Sequence, residues 1–305
     1  MTRAWLAVAL ALLCGCSGAD DAPDATRPIR VTTTVGMVAD VVKQVGGERV
    51  DVTALMGAGV DPHLYKASQG DIARLSNADI VFYNGLFLEG KMGEVLEKIA
   101  AAGKPVVAVA ERIPSDRLLH PEAFEGHPDP HVWFDVSLWS ETLAPVVEAM
   151  SQLEPASRGA FEANAQRYRA ELAELHAECA KALATIPPER RVLVTAHDAF
   201  GYFGRAYEVE VVGLQGLSTT SEYGLKDVQR IVGLVGSRGI RAVFVESSVP
   251  ARSIEAVVEG CRSAGHEVRI GGELFSDAMG APGTVEGTYA GMVRHNVTTI
   301  VDALR

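Results

Sequence analysis

Two series of short β-branched runs alternate with helical patterns along this chain, and one long charged stretch separates them, which leaves few possible architectures. Residues 29–34, 50–55, 80–83 and 105–109 read as strands, and 37–45, 68–75 and 91–101 carry apolar side chains at helical spacing. After Trp139 the pattern is helical, and residues 155–186 form one long, charged, alanine-rich stretch. The alternation then resumes, with strands expected at 192–195, 208–212, 242–246 and 267–270 and helices near 226–234, 253–264 and 288–304. Such alternation predicts α/β sheets of mainly parallel strands flanked by helices. The expected fold is two α/β lobes, residues 29–154 and 187–305, joined by one long backbone helix over 155–186. A chain of 305 residues, 48% of them hydrophobic, is long enough to bury both cores.

The first residues read as an address. Arg3 precedes an apolar run over residues 4–13, too short for a stable membrane-spanning helix and suited to a signal peptide. The run ends in Leu13-Cys14-Gly15-Cys16, which resembles the lipobox of bacterial lipoproteins. Residues 1–16 are therefore expected to be a signal peptide and lipobox, with cleavage before Cys16 and a lipid on that cysteine; an ordinary secretory signal is the plainer alternative. Residues 17–28, polar and bearing three aspartates, read as a flexible tether. Cys179 and Cys261 are expected to be unpaired thiols, and no CxxC or Cys–His spacing supports a thiolate zinc site or a cysteine nucleophile.

Four stretches far apart in the chain each deliver one side chain able to ligate a metal: Asp61-Pro62-His63, Asp129-Pro130-His131, Ala196-His197-Asp198 and Phe275-Ser276-Asp277. Three imidazoles and a carboxylate make a complete tetrahedral set for zinc, and manganese or iron also accept such ligands. One Asp-Pro-His tripeptide alone is a weak signal, because a histidine there is commonly a turn residue satisfied locally. His197 alone could be a core histidine, and Asp277 a helix cap. Placement strengthens the set, since His63, His197 and Asp277 each follow an expected strand, and ligands of open α/β sheets bind beyond the carboxyl ends of strands. Glu246, ending the strand 242–246, is the candidate to hold a ligating histidine from behind; its alternative is a surface glutamate. The formal charge of -11 argues against a nucleic-acid partner, which needs a basic footprint.

These stretches, with Val132-Trp133-Phe134-Asp135, Ala199-Phe200-Gly201-Tyr202-Phe203, Gly213-Leu214-Gln215-Gly216-Leu217-Ser218-Thr219 and Gly271-Gly272-Glu273-Leu274, resemble the TroA/ZnuA-like solute-binding lipoproteins of bacterial metal-ion ABC transporters. The resemblance covers essentially the whole chain after the tether. It implies metal ligation by His63, His131, His197 and Asp277, closest to the TroA branch. It also implies one Zn or Mn ion as cargo, with Fe as a further option, a permease partner in the cytoplasmic membrane, and a monomeric receptor anchored outside the cytoplasm by lipid on Cys16.

The other histidines carry no such pattern. His120 and His127 lie in the loop 113–130, where zinc-dedicated relatives tend to have a longer His-rich insertion, and both read as solvated, with assistance in metal capture as the lesser option for His127. His176, His266 and His295 read as structural. The rival functions are a zinc hydrolase and a surface adhesin with a structural metal. Against hydrolysis, a fourth protein ligand fills the position that catalytic zinc keeps open, and neither HExxH nor GxSxG is present.

Overall fold

In the computed structural model, which describes residues 27–124 and 126–305, the first half of the chain builds one parallel sheet. Its strands β1 (Ile29–Thr33), β2 (Val50–Ala54), β3 (Ile80–Tyr83) and β4 (Val106–Ala108) stand in the order β2-β1-β3-β4. Helices α1 (Gly36–Gly46), α2 (Gln69–Asn77) and α3 (Gly93–Ala101) make the crossovers. Ser68 starts α2 with a capping box: its hydroxyl accepts from Asp71 N–H while the Asp71 carboxylate accepts from Ser68 N–H. The signal peptide, Cys16 and nearly all of the expected tether lie outside the described residues.

The second half repeats the plan. β5 (Val192–His197) pairs in parallel with β6 (Glu210–Gln215), and β7 (Ala242–Glu246) with β8 (Arg269–Leu274), with β5 lying beside β7. The helices here are α7 (Gly201–Tyr207), α8 (Leu225–Arg238), α9 (Arg252–Ser263) and α10 (Tyr289–Leu304), after α4 (Val136–Trp139), α5 (Leu143–Leu153) and α6 (Arg158–Leu183). The fold is thus α/β, with parallel sheets flanked by helices and one long helix between the two series.

Three strand expectations need correction, and the first is the strand expected at 192–195, which runs on to include His197. Glu208 belongs to no strand: it takes a left-handed conformation that ends α7, and β6 starts two residues later. The strand expected at 267–270 runs instead to Leu274, through Gly271 and Gly272. Those glycines read as a strand end, yet a Cβ on Gly271 would stand 2.8 Å from both Ala303 and the Phe244 ring, so the bare backbone lets α10 lie close on β8.

The 26-residue α6 buries Phe161, Ala165, Tyr168, Leu172, Leu175, Cys179 and Leu183, a stripe stepping by three or four residues. It packs against α1, α5 and α10, so helices from both ends of the chain meet on one apolar seam. Each fully buried Leu or Phe contributes roughly 1.5–3 kcal/mol, and a charge at Leu172 would break the seam. Cys179 sits on this stripe rather than on the polar face, and Cys179 and Cys261 are both free and buried. In α8, Ile231 and Val235 are buried while Leu234 is half-buried.

Candidate metal centre

The three histidines and Asp277 arrive on four segments and meet in the interior. His197 is the last residue of β5, and Asp277 stands three residues past β8. His63 follows β2 by a longer loop, and His131 precedes a short 3-10 turn at Val132–Phe134. Their exposures are 2% for His63, 0% for His131 and His197, and 1% for Asp277. One donor atom from each lies within 4.8 Å of all the others.

The spacing can be tested against coordination chemistry. Ligands at about 2.0–2.2 Å from a tetrahedral ion stand about 3.3–3.6 Å from one another. His63 Nε2 is 3.3 Å from His131 Nε2, His131 Nε2 is 3.5 Å from Asp277 Oδ1, and His197 Nε2 is 3.2 Å from Asp277 Oδ2. The pair His63 Nε2 and Asp277 Oδ2, at 3.7 Å, is slightly wider. His197 Nε2 and both Asp277 oxygens have no hydrogen-bond partner among the described residues. Buried polar atoms left unpaired cost about 1–3 kcal/mol each, a cost that coordination removes.

Behind the donors, the ring positions are held. Glu246 Oε2 accepts from His197 Nδ1 at 2.5 Å and Oε1 from the His197 backbone N–H at 2.8 Å. Asp129 Oδ1 accepts from His131 Nδ1 at 2.7 Å and from the His131 backbone N–H at 2.9 Å. Both contacts hold the proton on Nδ1 and leave Nε2 turned toward the cluster. The two Asp-Pro-His stretches share a local cause, because Asp61 Oδ1 likewise accepts from His63 N–H at 2.8 Å, closing the same turn. Sequence reasoning identified Glu246 but gave no role to Asp129, although an aspartate two residues before a histidine was a readable Asx-turn signal.

Other partners were invisible in the sequence. Trp133 Nε1 donates to the Ser276 carbonyl at 3.1 Å, and Tyr289 Oη donates to the Trp133 carbonyl at 2.6 Å. The Asn296 side chain brackets Phe275, accepting from its N–H at 2.9 Å and donating to its carbonyl at 2.7 Å. The Asp277 loop is thereby held on both sides. On β6, a Cβ at Gly213 would meet Asp198 N at 2.7 Å, so only glycine lets that strand approach the backbone beside His197.

The electrostatics divide the histidines. Burial of His63, only partly offset by Asp277, lowers its pKa from 6.5 to about 3. Burial acts the same way on His131, but Asp129 and Asp277 outweigh it and raise the ring to about 9. His197 is raised well above its ordinary value, because Glu246 and Asp277 outweigh burial. Asp277 is held well below the usual carboxylate range, the imidazoles of His197, His131 and His63 outweighing its burial. Asp277 thus favours the protonated form of His131 and His197. The remaining histidines are elsewhere: His127 packs on Phe87 with ring centroids 4.0 Å apart, His120 bonds to Ser115, His176 to Tyr207 and His295 to the Glu273 carbonyl.

The chain is similar to several known metal-binding and metal-transport proteins. The manganese-binding lipoprotein MntA of Bacillus subtilis is 52% identical over 96% of this chain and 95% of its own length. The metal ABC transporter substrate-binding lipoprotein SloC of Streptococcus mutans is 27% identical, over 98% of this chain and 97% of its own. The solved structure of the periplasmic zinc-binding protein TroA from Treponema pallidum superposes with a TM-score of 0.88 at 50% identity, covering 91% of this chain and 99% of that one. The family model described as zinc-uptake complex component A, periplasmic, matches residues 31–303, and the chain belongs to this ZnuA family.

Proposed function

We propose that this protein is the extracytoplasmic substrate-binding component of a metal-ion ABC transporter. It captures one Zn(II) or Mn(II) ion with His63, His131, His197 and Asp277 and presents it to a permease in the cytoplasmic membrane. The observation that carries this reading is the convergence of four donors from four segments at the mutual spacing of a coordination shell, with orphaned atoms facing one another. Glu246 and Asp129 orient His197 and His131 as ligands.

The cargo is a transition metal of this group, zinc being the ion named for TroA and manganese the ion named for MntA. Both Asp277 oxygens face the histidines, so the shell can offer four or five donors, and iron also fits such a set. Zinc binds more tightly than manganese at a nitrogen-rich site, so supply as well as affinity selects the physiological ion. No catalysis is required, because four protein donors fill the tetrahedral positions and leave no place reserved for a reacting water.

The lipoprotein names of MntA and SloC support a lipid on Cys16 and a tether over 17–28. Residues 29–154 and 187–305 act as two lobes, with 155–186 as the helix between them and the ion at their interface, in a monomeric receptor. Metal content by mass spectrometry tests the assignment. One equivalent of Zn or Mn in the parent, lost or strongly reduced in His197→Ala and Asp277→Ala, supports it. Full metal content in both variants would refute it.

A further inference from the structure

The hydrogen bonds that join the two halves of the chain around the donor cluster differ in burial. Trp133 to the Ser276 carbonyl, Tyr289 to the Trp133 carbonyl and Tyr202 to the Asp129 carbonyl are all buried. Thr219 Oγ1 donates to Asp61 Oδ2 at 2.6 Å, and both of these residues are half-buried. The other Asp61 oxygen accepts the His63 N–H, so this carboxylate connects Thr219 directly to the turn that presents His63.

Thr219 lies in the loop 216–224, Gly-Leu-Ser-Thr-Thr-Ser-Glu-Tyr-Gly, with a glycine at each end and four hydroxyl side chains in a row. The loop is fixed to its own half by Asp198 N–H donating to the Gly216 carbonyl at 3.3 Å and by the buried Leu217. Among the described residues, Thr219 is the only side chain of this loop that bonds to the first half of the chain. An ion held by donors at most 2% exposed can leave only if some tie over it opens. Opening the buried ties would strand polar groups away from water, whereas a half-buried hydroxyl and carboxylate can exchange each other for water at small net cost. Of these four ties, the one between Thr219 and Asp61 opens at the smallest cost.

We infer that Thr219 is a positioning and gating residue for metal exchange: through Asp61 its hydroxyl closes the solvent side of the donor cluster and holds the His63 turn in place. This rests on the metal-binding reading of the same cluster. A gate that closes over a bound ion slows entry and exit together, so its loss changes rates more than equilibrium affinity.

The test is stopped-flow release of zinc from the loaded protein into excess chelator, with zinc uptake measured alongside, for the parent, Thr219→Val and Thr219→Ser. Valine keeps the shape and loses the hydroxyl; serine keeps the hydroxyl. Zinc release and uptake should both be about tenfold faster in Thr219→Val, with stoichiometry still one ion per chain, while Thr219→Ser stays near the parent rates. Unchanged rates in Thr219→Val overturn the gate, and equal acceleration in both variants overturns the role of the hydroxyl. A parent that takes up no zinc overturns the metal site itself, and the gate with it.

Discussion

Replacing Glu246 by glutamine tests how much of the metal affinity is built behind the ligands. The carboxylate accepts two hydrogen bonds from one residue, at 2.5 Å from His197 Nδ1 and 2.8 Å from its backbone N–H. A glutamine has only one carbonyl oxygen for these two donors. If its amide NH2 faces Nδ1, the ring proton moves to Nε2 and the atom that should ligate is blocked. If the NH2 faces the backbone, a buried N–H loses its acceptor at about 1–3 kcal/mol. The expected loss is about 10–100-fold in affinity, or about 1.4–2.7 kcal/mol. One effect opposes it, because Glu246 also raises the His197 pKa and so strengthens proton competition in the parent. That competition fades as pH rises, so the parent's advantage should widen between about pH 6 and about pH 9, and the variant should release fewer protons on binding. Titration against a competing chromophoric chelator, with calorimetry in two buffers of different ionisation enthalpy, measures both quantities. Equal affinity at both pH values with an unchanged proton count would refute the orienting role of Glu246.

Gly213→Ala should lower stability by about 1–3 kcal/mol and weaken metal binding, because the new Cβ would press on Asp198 beside His197. Gly233→Ala on α8, where a Cβ meets nothing within 4 Å, is the control, and thermal unfolding should separate the two; equal melting temperatures would contradict the close approach. The metal-free protein should also show a pH signature. His131, raised from 6.5 to about 9, adds stability that is fully present below 6.5 and lost as pH climbs through 9. His63, lowered to about 3, removes stability as pH falls from 6.5 toward 3. From these two groups, chelator-treated protein should melt highest near pH 6.5, and a melting temperature that rises steadily from there to pH 9 would contradict the pairing of His131.

Much of the fold was readable because local physics dictates it. β3 and β7 have the bounds their β-branched runs predict, and Ser68 and Thr288 mark the starts of α2 and α10 as caps. Two of the boundaries that moved lie at a left-handed residue and at a glycine pair: Glu208 ends α7, and Gly271 lies beneath Ala303 and Phe244. The buried face of α6 was harder to read, because its stripe is diluted by alanine and charge and is covered by α1, α5 and α10.

The sequence alone determined the α/β alternation and the long helix, and it pointed to the four candidate donors, since each depends on residue type and short-range spacing. It also carried the Asp-Pro-His turns, in which an aspartate bonds two residues ahead. Only the tertiary structure decided that the donors converge at coordination distance, that Glu246 lies behind His197, and that Trp133 reaches Ser276 and Thr219 reaches Asp61. These pairs are separated by 49, 143 and 158 residues, and no local pattern encodes such a meeting. It depends on how helices from the two halves of the chain pack about α6, where packing sets the distance between side chains, and burial and neighbouring carboxylates together set each histidine's hold on a proton.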